Sequence, residues 1–109
     1  YSPMSLTTDT ETVEILYFDG AVNRSVTRDV MGQGIPPGIL SISNLPLYDF
    51  GTIAVGSTRS HIFTVTNIGG ATTTSIVGGG LAAPFSFVGG SYPGTGGTCA
   101  TSLAPTVSC

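Results

Sequence analysis

Glycine and proline punctuate this chain nearly every ten residues, with 16 Gly and 7 Pro in 109 positions. Proline removes a backbone donor and glycine weakens any regular element it interrupts, so such punctuation leaves little room for helices. Between the breaks there is no sustained apolar spacing of three and four. Thr, Val, Ile, Phe and Tyr dominate instead, the residues that suit a pleated surface. The pattern predicts an all-β chain of short strands. In "ETVEILYFDG", Val13, Ile15 and Tyr17 share one face, Glu14, Leu16 and Phe18 the other, and Asp19-Gly20 supplies a turn. "AVNRSVTRDVM" alternates poorly, because Arg24 and Arg28 share parity with Val22, Val26 and Val30; a bulge or a partly exposed edge accounts for that. The two segments read as a hairpin.

The run "GQGIPPG" follows, and Pro36-Pro37 breaks the ladder there. Five further strands are expected. They are "ILSIS" with Leu40 and Ile42 inward, "YDFGTIAVG" with a bulge at Gly51, "HIFTVTNIGG" with Phe63 and Val65 inward, "TTTSIVGGG" and "PFSFVGG". From Gly89 the chain reads as loop and carries both cysteines. About seven short antiparallel strands with turns at this spacing predict a β-sandwich.

Charge narrows the function classes. Asp, Glu, Lys and Arg make up 8% of the chain, the net charge is -3, and lysine is absent. A nucleic-acid surface needs a basic stripe, and attachment to anionic lipid needs a basic cluster; neither is expected here. No run has the 18 or so apolar residues of a membrane span. A surface of Thr, Ser and Gly does little to keep copies apart, because charge is the usual guard on a strand edge.

The segments "LSIS", "YDFGTIAVGS", "FTVTNIGGA", "PFSFVGG" and "C…TSLAPTVSC", taken in that order, resemble the opening two-thirds of a choice-of-anchor D or ASH-type repeat, an Ig-like domain related to the major-sperm-protein sandwich. "YSP" and "VEILYFDG…VTRDVMGQG" resemble the end of the same repeat type. The resemblance implies that residues 1–34 are the closing hairpin of one repeat, 35–38 a Gly/Pro seam, and 39–109 the opening portion of the next. In this reading the sandwich lacks about one strand, which a neighbouring repeat or subunit supplies by strand addition. The resemblance further implies a non-enzymatic, structural protein at the cell surface or outside the cell, of bacterial type, whose partners are copies of itself or adjacent repeats. Composition and resemblance together favour a disulfide between Cys99 and Cys109; two free thiols in a reducing compartment are the alternative.

Residues with chemical potential are few. With a single histidine there is no ligand set for a metal beside the cysteines, and no cofactor is implied. "DFG" at Asp49–Gly51 matches a kinase signature in letters only, without a glycine-rich phosphate loop or a lysine. His61 reads as a partly buried or edge residue, since no Ser-His-Asp or Cys-His set accompanies it. Asp9, Glu11 and Glu14 read as a solvated strand face, with weak Ca²⁺ binding as the alternative. Asn23-Arg24-Ser25 fits the glycosylation sequon. A second function class, an adhesin or carbohydrate-binding module, places its ligand loop at Gly89–Gly97, where Tyr92 offers an aromatic ring to a surface ligand.

Overall fold

The computed structural model describes all 109 residues and holds no helix. Six strands form three two-stranded antiparallel sheets, β1 with β2, β3 with β4 and β5 with β6. The chain divides into two compact units, Tyr1–Pro36 and Pro37–Cys109. The division falls inside the Gly/Pro run, between the end of β2 at Gln33 and the start of β3 at Leu40.

The first unit is the hairpin of β1 (Thr8–Phe18) and β2 (Asn23–Gln33), each 11 residues long. Its pairing runs without a break from Thr8 opposite Gln33 to Phe18 opposite Asn23. The bulge allowed for in the second segment is therefore absent; the arginines share a face with the valines because both faces of the ribbon are exposed. One face carries the rows Glu11–Val30, Val13–Arg28, Ile15–Val26 and Tyr17–Arg24. Asp19 builds the turn. Its Oδ1 accepts the amides of Ala21 and Val22 at 2.9 Å each, and its Oδ2 accepts Arg24 Nε–H at 2.6 Å. At the open end the Tyr1 ring lies against Gly32, where any side chain would collide with it, and its hydroxyl donates to Asp9 at 2.6 Å.

The second unit holds β3 (Leu40–Ile42), β4 (Val65–Asn67), β5 (Thr73–Thr74) and β6 (Ser102–Leu103). Backbone bonds extend the β3–β4 pairing on both sides, from Ser43 N–H to the Thr64 carbonyl and from Gly70 N–H to the Pro37 carbonyl. On the other side of β4, Val65 and Cys109 exchange both backbone bonds, so the last residues form a third, short line beside β4.

The sequence predicted more strands here than form. "YDFGTIAVG" and "PFSFVGG" form none. In the first, Asp49 Oδ1 accepts the Gly51 amide and Gly51 takes φ +69°, so an Asx turn stands where a bulged strand was expected. In the second, Phe85 N–H bonds back to Ala82 and Gly90 N–H to Phe87. Local turns compete with the ladder for the same donors, and at these glycine-rich sites they win. Conversely, β6 lies in the segment read as loop. Leu40 and Ile42, expected inward, remain 40% and 44% exposed.

Candidate functional site

The core of the second unit is very small, and Asn67 is its centre. It ends β4, and its side chain is fully buried. Its Oδ1 accepts the amides of Ile39 at 3.2 Å and Gly69 at 3.0 Å, and its Nδ2 donates to the carbonyls of Ala71 at 2.8 Å and Leu103 at 2.9 Å. One amide thus uses its two acceptor sites and both donors. It ties the entry to β3, the turn after β4 and strand β6 together. Leu103, the one buried apolar side chain, lies at the same point. The backbone approaches closely here: a Cβ on Gly69 would meet the Pro37 carbonyl and the Ile39 amide, so glycine at 69 is a packing requirement. Sequence reasoning took "VTNIGG" as a strand end; the Asn-x-Gly-Gly spacing was the available signal for this hub.

The second unit also holds two aromatic groups. Tyr48 stacks on His61, with ring centroids 3.8 Å apart, and meets Phe50 and Phe63 edge-on. His61 Nε2 lies 3.0 Å from Asn44 Oδ1. His61 is half-buried and its ring packs on Tyr48 and edge-on against Phe63. Arg59 donates to the Phe50 carbonyl at 2.7 Å and closes the same loop. Tyr92 belongs to the second group. Its ring lies over Gly78 and meets Phe87 edge-on at 5.7 Å, and its hydroxyl is buried without a hydrogen-bond partner. The ring packs against its own unit and is not presented as an open platform.

Cys99 and Cys109 are disulfide-bonded, with Cα atoms 4.9 Å apart. The bridge encloses β6 and the turn Ala104–Val107 and so holds the last residues alongside β4. The acidic residues singled out above do not converge: Asp9 and Glu11 share one hairpin face and Glu14 points to the other. No three His, Cys, Asp or Glu side chains gather as a metal site. Asn23 opens β2 on the exposed end of the hairpin. No helix is long and apolar enough to cross a membrane.

The largest uncovered feature is the hairpin itself. Every residue of β1 is exposed, and Ile15, at 60%, sits in the middle of an apolar row. Its outer edges are also free. Asp19 N–H bonds to Val22 and Gly34 N–H to Thr7, and with the strict register this fixes which amides face inward. Those of Thr10, Thr12, Glu14 and Leu16 point away from β2 and meet no acceptor in the chain. The concavities on this hairpin, beside Thr10, Val30 and Met31, are shallow and open. The feature is therefore a surface and an edge, with no enclosed cavity on it.

Compared with protein-family models, with curated proteins and with solved structures, the chain matches none.

Proposed function

We propose that this chain is a structural, non-enzymatic Ig-like repeat segment of an extracellular bacterial surface or fibre protein, assembling by strand pairing between repeats or subunits. The observation that carries the reading is the β1–β2 hairpin, uncovered on both faces and unpaired along both edges. An isolated two-stranded ribbon is at best marginal in water, so one this long and apolar calls for a further strand or sheet. Surface area supports the same reading. The accessible surface is 8637 Å². Two separate folded bodies of these lengths would together expose about 6,700 Å², and the excess is more than twice the ~800 Å² that one partner contributes to a standard protein interface. In the proposed protein, the strand edges give affinity through main-chain bonds, and tail and head portions complete one another across neighbouring copies.

The disulfide supports an oxidising compartment. The choice-of-anchor D or ASH resemblance supports the repeat assignment. The packed position of Tyr92 gives the ligand-loop alternative no comparable support. The test is sedimentation and thermal unfolding of the chain over a dilution series. Assembly makes both concentration-dependent. A stable monomer whose unfolding ignores concentration contradicts the proposal.

A further inference from the structure

We infer that the two edges of the hairpin complement each other: β1 of one copy adds antiparallel to β2 of the next, with Glu11 opposite Arg28, so that copies join head to tail into one open sheet. This rests on the assembly reading above and adds which edges meet and in what register. The two edges differ in charge. β1 carries Asp9, Glu11 and Glu14 and no cation; β2 carries Arg24, Arg28 and Asp29. Arg24 is held by Asp19 in the one ion pair of the chain, so Arg28 and the β1 acids have no ionic partner.

The hydrogen-bond phase limits the alignments. β1 turns the backbone groups of its even-numbered residues outward, and β2 those of its odd-numbered residues. In an antiparallel pair, outward residues stand opposite outward residues, and opposite side chains share a face. Two copies of β1 therefore never bring an acid to a cation. Two copies of β2 set even positions against even ones, so Arg28 never stands opposite Asp29. Only β1 against β2 brings unlike charges directly opposite. It also keeps the Val13 and Ile15 face of one ribbon continuous with the Val26 and Val30 face of the next. A parallel addition aligns outward residues with inward ones, which sets that face beside the threonine face of its neighbour.

Side chains then select the register. Repeating the register of the hairpin itself leaves Glu11 opposite Val30 and Val13 opposite Arg28. A step of two residues one way puts Glu14 opposite Asp29, like against like. The same step the other way gives Thr10–Asp29, Glu11–Arg28, Thr12–Thr27 and Val13–Val26 in consecutive rows. Opposite charges, paired hydroxyls and β-branched pairs are favourable cross-strand neighbours. A threonine already donates to Asp29 inside the hairpin, from Thr12 at 2.7 Å. The new ladder runs from Thr8 opposite Met31 to Leu16 opposite Asn23, most of each strand; larger steps in that direction shorten it. Because unlike edges meet, each added copy leaves one β1 and one β2 free at the ends, and the contact does not close on itself.

The test uses the full chain. Val13→Cys and Val26→Cys variants are mixed at assembling concentration and oxidised without prior reduction, so that Cys99–Cys109 stays closed. Unlike-edge pairing is expected to link one variant to the other in preference to either with itself. Links mainly within one variant, or none in a sample whose outward β1 amides are protected, overturn the inference and leave the strand-pairing reading standing. Charge gives a second readout, by sedimentation. Glu11→Arg and Arg28→Glu each set like charges across the contact and are expected to weaken self-association about tenfold. Mixing the two variants, or combining both changes in one chain, is expected to restore it. Indifference to the single reversals, or no recovery on mixing, overturns the inference. A monomer at every concentration, with the outward amides unprotected, overturns both readings.

Discussion

Asn67 shows how much a single side chain carries when little apolar material is buried. Four backbone groups from three segments converge on its amide, and removing it leaves all four without that partner, the Leu103 carbonyl at a buried position. Asn67→Ala is expected to cost about 3 kcal/mol, read as a shift in the denaturant midpoint of the second unit. Asn67→Asp keeps the acceptors and loses both donors, so it too is expected to destabilise. Thr106 offers the opposite case. It follows Pro105 in the turn closed by Val107 N–H and the Ala104 carbonyl, and it has φ +64°. That is the third position of a Pro-initiated turn, where glycine is preferred, and a β-branched residue there is strained. Thr106→Gly is expected to stabilise by about 1 kcal/mol, measured by the same denaturant titration. In the sequence Asn67 was marked only by its Asn-x-Gly-Gly spacing, and Thr106 by nothing. Strand alternation reports which face a residue occupies; it does not report that one asparagine will meet four backbone groups, or that a threonine will be held left-handed.

At the scale of elements, the hairpin was the most readable part of the chain. Alternation of Val13, Ile15 and Tyr17 and the Asp19-Gly20 turn signal survive in the structure because both are local. The strands after Gly38 were less readable. Short segments rich in Gly, Ser and Thr have turn options nearly as good as the ladder, and tertiary contacts such as those of Asn67 decide between them. The acid response of the hairpin turn follows from Asp19. The Val22 amide, then the Arg24 guanidinium and the Ala21 amide, hold its carboxyl below the ordinary aspartate value. A lowered folded value means the stabilisation is complete above the unfolded value and is lost as pH falls through the folded one. The turn is therefore expected to loosen in acid below the usual carboxylate range. Ala21 and Val22 amide shifts followed by NMR check this, and Asp19→Asn should flatten the response. Tyr1 works in the other direction. Its hydrogen bond to Asp9, then burial, then the Asp9 charge raise the phenol above its ordinary value, so its contact with Gly32 persists below that value and is lost as alkali ionises the ring. The disulfide stabilises the other end of the chain. It closes a loop of sequence separation 10, and opening it with reductant is expected to cost about 2 to 3 kcal/mol and to expose the Val65 amide, which bonds to Cys109.

For the whole molecule, the central claim is that a strand from another copy or repeat completes this one through the hairpin. Lysine is absent, and the six charged residues that β1 and β2 carry leave the outward amides of the hairpin without an acceptor in the chain. The most direct measurement is amide hydrogen exchange of β1 in the full chain, at high and at low concentration. The account predicts that the outward amides of Thr10, Thr12, Glu14 and Leu16 exchange freely in dilute solution and gain protection together on assembly, while the inward amides of Val13 and Ile15 are slower throughout. Outward amides that stay unprotected at every concentration, or that are already protected in a dilute monomer, would contradict it.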